Sequence, residues 1–100
     1  MSTKAKSSVS PSSKKHSFQI GKAYLVRTVT LYYTGLLKAI TESDLVLESA
    51  AWIPDTGRFY NCLKESKIQE CEPFVNDVII SRGAIIDATI WSGSLPADQK

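Results

Sequence analysis

Arg82 has the clearest chemical prospects of any side chain in this sequence. It stands beside Gly83 between two apolar runs, Val78-Ile79-Ile80 and Ala84-Ile85-Ile86. A guanidinium offers a planar fork of donors that fits a phosphate or a base edge, and it also stacks on rings. Repeated around a symmetric assembly, it would concentrate positive charge on one face or in a pore. A second candidate is the triplet Asp55-Thr56-Gly57. Two such carboxylates, one from each of two copies of a chain, can share a proton. The remaining chemistry is thin. The only histidine is His16, no glycine-rich phosphate loop is present and no nucleophile has a base beside it, so the sequence reads as that of a non-enzyme. Cys62 and Cys71 come with no second pair, which leaves zinc without a ligand set and reads as two reduced, partly buried thiols. No cofactor is indicated. Tyr24, Tyr32, Tyr33, Trp52, Phe59 and Trp91 could stack on bases, although in a small strand-rich domain such residues more commonly fill the core. On a strand, one of the adjacent pair Tyr32 and Tyr33 points inward and the other outward, and the outward one is the better functional candidate.

Charge divides the chain in two. Residues 1–17 hold seven serines and four lysines with no acid, whereas residues 18–100 carry eight Lys and Arg against ten Asp and Glu, a balance of −2. The tail cannot bury enough apolar surface to offset its chain entropy, so it reads as a disordered arm that is either solubilising or electrostatic. It does not resemble a signal peptide, because no apolar run follows its lysines. No later stretch approaches the ~20 apolar residues of a membrane helix, so a soluble, cytoplasmic protein is expected. The folded part is not basic. Attraction to phosphate must then come from the tail or from a local cluster multiplied by symmetry.

The elements that must position these residues are strands. Residues 21–30 are rich in β-branched and aromatic side chains and predict a first strand. Residues 31–41 predict a second, with Gly35 marking a bulge or bend. A polar turn at 41–44, in which Ser43 or Asp44 bonds local backbone, leads into a third strand at 45–52 that Pro54 ends. A short helix is expected over 55–65, capped by Asp55 or Thr56 and carrying Phe59 and Leu63 on one face. A short edge strand follows at 68–74, and residues 93–100 read as coil. The last strand pair, 78–91, is hinged on Arg82-Gly83. Gly83 takes positive φ at no steric cost, so a type II-like turn is expected, which splays its strands and leaves two open apolar edges. A second copy of the chain is the obvious cover for edges of this kind. Short strands without alternating helices predict an all-β compact barrel.

Two resemblances bear on these residues. The triplet Asp55-Thr56-Gly57 is similar to that of the retroviral type of aspartic protease, a homodimer with one Asp per subunit. The chain departs from that pattern, since Pro54 precedes the triplet and Arg58-Phe59 follow it where the family has a small residue. The stronger resemblance is to the Sm-like small β-barrels. Their first motif, a strand glycine, alternating hydrophobics and an acidic turn, looks like Gly35-Leu36-Leu37-Lys38-Ala39-Ile40-Thr41-Glu42-Ser43-Asp44-Leu45-Val46-Leu47. Their second motif, Arg-Gly between hydrophobic strands, looks like the stretch from Val78 to Ile86. The pattern also resembles small Sm-like proteins of bacterial or phage genomes. The resemblance implies a five-stranded, strongly bent antiparallel sheet, here with a helical insertion at about 50–73 between the third and fourth strands of an 18–92 domain. It further implies a homo-oligomeric ring of roughly five to seven subunits. In that ring Val78, Ile79, Ile80, Ala84, Ile85 and Ile86 form the subunit seam, and Ser43, Asp44, Arg82 and Gly83 contact RNA. The asparagine that the family carries after the acidic turn is missing, because residues 45–48 are Leu, Val, Leu and Glu. A structural or protein-interaction ring using the helix face of Phe59 and Leu63 is the alternative reading, and the negative balance of the domain favours it.

Overall fold

The computed structural model describes residues 16–100, so the basic tail expected at 1–17 lies outside the described residues except for its last two. Six strands and one short helix follow in the order β1 (Ala23–Thr28), β2 (Tyr32–Ile40), β3 (Asp44–Asp55), α1 (Phe59–Glu65), β4 (Glu70–Pro73), β5 (Val78–Ser81) and β6 (Ile85–Ile90). All pairings are antiparallel. β1 to β3 form a meander, β4 and β5 both pair with β3, and β6 pairs with the outer edge of β1. The protein is therefore mainly β, with its helix between the third and fourth strands.

The connectivity forces this sheet to curl. β5 and β6 stand at opposite ends of the path β5-β3-β2-β1-β6, which in a flat sheet would separate them by ~19 Å at about 4.8 Å per strand. Yet they are joined by one turn of 3₁₀ helix, Arg82–Ala84, which spans only ~6 Å. The sheet consequently bends almost to closure. Its two end strands are left linked through the chain and not through a ladder of hydrogen bonds.

Two register slips make the bend. Between Thr34 and Leu36 of β2, β3 advances from Ala51 to Glu48, one residue too many, and Ser49 in that bulge takes φ 50°. A one-residue slip exchanges the faces of every following side chain. Before it, Leu45 and Leu47 point into the barrel interior; after it, Ala50 does, and Ala51 and Ile53 face the other way. The second slip places Lys38 of β2 outside the pairing, so that Ile40 joins Leu37 on the interior side. The interior is filled by Tyr24, Val26, Leu37, Leu45, Leu47, Ala50, Val78 and Ile80. A second cluster of Leu25, Ala51, Ile53, Cys62, Ile68, Cys71 and Trp91 covers the opposite face beneath the insertion. Tyr24, Leu25 and Val26 are all buried because β1 is covered on both sides.

One buried group in this double-sided sheet has no partner. Thr34 is fully buried, and its Oγ1 makes no hydrogen bond. An unsatisfied buried hydroxyl costs on the order of 1–3 kcal/mol. Thr34→Val, which keeps the shape and removes the hydroxyl, is expected to stabilise the domain by about 1 kcal/mol, read as a thermal midpoint several degrees higher.

The structure corrects several expectations. Pro54 does not end the third strand, which continues to Asp55. The proline lies beyond the Tyr32↔Ile53 pair that closes the β2 ladder, and the β3–β4 register shifts between Trp52 and Asp55, so its missing N–H interrupts nothing. Asp55 and Thr56 do not cap the helix. α1 starts at Phe59 behind Arg58, which makes no side-chain cap, because the Asp55 carboxylate instead accepts the Gly57 N–H at 2.8 Å in a turn with Gly57 at φ 72°. The Arg82-Gly83 step is not a type II turn: Gly83 is not among the positive-φ glycines, and 3₁₀ geometry makes the corner. The two strands nevertheless diverge as expected. Tyr32 and Tyr33 point to opposite faces as expected, but the outward one is not open to solvent: Tyr32 packs toward the outer cluster with its ring 5.6 Å from Phe59, and Tyr33 packs on the interior with its ring stacked 6.1 Å from Phe74. The segment 93–100 is irregular but docked. Lys100 exchanges two backbone hydrogen bonds with Cys71, the Trp91 indole N–H donates to Ser94 O, and Leu95 packs on the outer cluster.

Candidate functional site

Sequence reasoning placed Ser43, Asp44, Arg82 and Gly83 in two loops about forty residues apart, and the fold brings these loops together. The β3–β5 ladder pairs Asp44 with Ser81, which carries the first residue of the 3₁₀ turn to the β2–β3 corner. There the Arg82 N–H donates to Ser43 O at 2.9 Å, and its Nη1 donates to Thr41 O at 2.6 Å. The corner is itself rigid. Thr41 Oγ1 accepts the N–H groups of Ser43 and Asp44, both at 3.1 Å, and donates to Asp44 Oδ1 at 3.1 Å, while Thr41 N donates to Asp44 O. This Thr41 turn supplies the local backbone bonding that the sequence reading assigned to Ser43 or Asp44.

The arginine is thus held by carbonyl oxygens and not by a carboxylate. Its half-buried side chain keeps most of its five N–H donors uncommitted and its full charge unneutralised. Ser43 Oγ lies 3.4 Å from Thr41 Oγ1, a loose contact that leaves the hydroxyl available, and one carboxylate oxygen of Asp44 is uncommitted. Donors on Arg82, a hydroxyl on Ser43 and an acceptor on Asp44 therefore share one rim. Such a set matches a partner that offers both acceptors and donors, as a nucleobase edge does, beside an anionic group for the guanidinium. Gly83 contributes no side chain and is exposed, so backbone can be approached closely there.

A groove of 660 Å³ runs from Arg82 along β6, lined further by Phe18, Tyr24, Ile85 and Ile90. Its floor is β6, which among the described residues pairs with β1 alone. The candidate seam residues divide by face. Val78 and Ile80 point into the barrel's own core, Ala84 and Ile85 are half-buried, and Ile79 and Ile86 are 71% and 56% exposed.

The remaining candidates are placed as follows. Asp55-Thr56-Gly57 is an exposed turn at the end of β3 in which Thr56 Oγ1 also donates to Gly57 O at 2.9 Å. Phe59 and Leu63 line a small hollow of 220 Å³ with Leu25, Arg27 and Asp87. In that hollow Arg27 and Asp87 form a two-pronged ion pair, with Nη2 to Oδ2 at 2.6 Å and Nε to Oδ1 at 3.1 Å, which holds the Asp87 carboxyl below its ordinary range and raises Arg27. Both cysteines are unpaired and buried, and desolvation pushes both thiols up, so they remain neutral. Among the described residues no helix is long and apolar enough to cross a membrane. Sequence reasoning missed a cluster of cations, Arg58 and Lys67 of the insertion with Lys100 of the C-terminal segment, because Lys100 lies more than thirty residues from the other two in the chain. Comparison with protein-family models, with curated proteins and with solved structures returns no match.

Proposed function

We propose that this protein is a non-enzymatic, Sm-like ring of identical subunits that binds RNA or another single-stranded nucleic acid at the corner formed by Ser43, Asp44, Arg82 and Gly83. The observation that carries the reading is the pair of hydrogen bonds from Arg82 to Thr41 O and Ser43 O, which assembles one donor-rich rim from both loops. The curled meander with its end strands joined at a 3₁₀ turn, each with a free edge, supports the ring. Around such a ring each subunit presents the unneutralised Arg82 guanidinium at its rim, and a single strand passing over several rims would meet several of them.

The test is a titration of labelled oligo-uridine at two salt concentrations, followed by fluorescence anisotropy. Wild-type protein is expected to bind at low salt and weaken as salt rises, since contacts with phosphate release counterions. Arg82→Ala is expected to reduce affinity at least tenfold at low salt with an unchanged circular dichroism spectrum. Deleting residues 1–17 separates the contribution of the lysine-rich tail. Absence of binding by all three proteins at low salt would remove the RNA role and leave a ring that engages protein partners through the surface of α1, where Tyr60 stands 69% exposed.

A further inference from the structure

Of the eight cations in residues 18–100, Arg27, Lys38 and Lys67 are in ion pairs among the described residues, and Lys22, Arg58, Lys64, Arg82 and Lys100 are not. Arg27 is neutralised by Asp87 at 2.6 Å and Lys38 by Asp77 at 2.7 Å. Arg58, Lys67 and Lys100 together line a groove of 300 Å³ between the turn before α1, the first turns of that helix and the segment leading into β4. No Asp or Glu lines this groove. Among the described residues Arg58 and Lys100 have no carboxylate partner, and Lys67 has only Glu65 at 3.5 Å, a contact that a side chain 77% exposed holds loosely. Like charges gathered along one groove repel one another, and an anion seated among them turns that repulsion into attraction.

The rest of the lining suits an oxyanion. Asn61 and Gln69 present amide groups that make no side-chain hydrogen bond within the described residues, and each can donate two N–H groups. Ile68 supplies a buried apolar wall, which lowers the local screening of the charges beside it. The volume holds a phosphate together with part of a sugar, and not a large apolar ligand.

We propose that this groove is a binding site for a phosphate group, with Arg58, Lys67 and Lys100 supplying charge and Asn61 and Gln69 supplying hydrogen bonds. The site lies on the insertion and does not depend on the rim of Arg82. Its phosphate is either a phosphodiester of a bound RNA strand or the phosphomonoester of a free nucleotide, and the two sources share the chemistry that recognises them.

The experiment is an amide chemical-shift titration of the full-length, ¹⁵N-labelled protein with inorganic phosphate, with uridine monophosphate and with an oligo-uridine lacking a terminal phosphate. Saturable shifts are expected at Gly57, Arg58, Asn61 and Gln69 with inorganic phosphate. In the double variant Arg58→Gln/Lys67→Gln, the half-saturating phosphate concentration is expected to rise at least tenfold. Both substituted positions are exposed, and an unchanged amide spectrum elsewhere confirms an intact fold. If the oligonucleotide also shifts these amides and the double variant flattens its salt dependence by ~1.4 in logarithmic slope, two strand contacts are lost and the source is RNA. If phosphate and the monophosphate shift them but the oligonucleotide does not, the source is a free phosphorylated ligand. Arg82→Ala leaves the phosphate response of the groove intact, so loss of RNA binding at the rim and loss of the groove are read separately. Absence of shifts at the groove amides with all three probes, or equal shifts in the double variant, overturns the proposal.

Discussion

Gly35→Ala is expected to destabilise the domain by about 3 kcal/mol and Gly35→Val to unfold it, as measured by denaturant titration. Gly35 is buried at the bulge where β2 crosses β3, and a Cβ placed there would lie 2.8 Å from Leu47 Cβ and 3.3 Å from Ala50 Cβ. The nearest atom belongs to the start of a side chain and not to its flexible end. β2 must therefore move away from β3, at the point where the slipped register already bends both strands, and overpacking of this kind costs ~1–3 kcal/mol before larger groups are considered. A domain of this size holds on the order of 4–13 kcal/mol in total, so the valine's extra methyls remove what remains. Leu47→Ala does not rescue Gly35→Ala, because alanine retains the Cβ that clashes. The contrast is Gly83. Its added Cβ would meet nothing closer than Ser81 Oγ at 3.7 Å, and its φ is not in the left-handed region. Gly83→Ala is expected to change stability by less than 1 kcal/mol, so an effect of that variant on the proposed RNA binding reports on the rim and not on the fold.

The second large effect is expected at the open strand edges. Among the described residues β5 pairs only with β3 and β6 only with β1, leaving one row of backbone groups free on each, with Ile79 and Ile86 exposed beside them. Joining the free edge of β5 to the free edge of β6 in a neighbouring copy pairs both rows and covers both isoleucines. Burying an isoleucine contributes ~1.5–3 kcal/mol, and the contribution recurs at every seam of a closed ring. A lysine on an edge strand opposes such pairing directly. The double variant Ile79→Lys/Ile86→Lys is expected to sediment as a monomer at concentrations where the wild type is expected to form the proposed ring, with its far-ultraviolet circular dichroism unchanged. An unchanged sedimentation coefficient in the double variant would place the seam elsewhere on the surface.

These two positions also show what was legible before the structure. Gly35 stood out as a glycine interrupting an expected strand, and the bulge it marked is real. The slip at Ser49 was not legible, because serine gives no signal of a left-handed residue, and Ala50-Ala51 reads as an ordinary apolar step although the two side chains enter different clusters. That slip explains how a strand with one apparent periodicity serves two cores. Pro54 misled for the opposite reason, since a residue that ends strands in general is harmless where the ladder on one side has already closed. The rim of Ser43, Asp44, Arg82 and Gly83 was assembled in advance only through family resemblance. No spacing rule joins a turn to a corner forty residues later, and the bond from Arg82 to Thr41 O is a tertiary contact. The cationic groove on the insertion was invisible for the same reason: residues 58, 67 and 100 meet only because the C-terminal segment lies along β4.

The central claim, that the free edges of β5 and β6 close a ring around the Arg82 rim, is tested most directly by the native mass of the wild-type protein, measured by light scattering across a hundredfold range of concentration. The account predicts one species of about five to seven times the 11.0 kDa protomer mass, constant over that range. A monomer or a dimer throughout would contradict it.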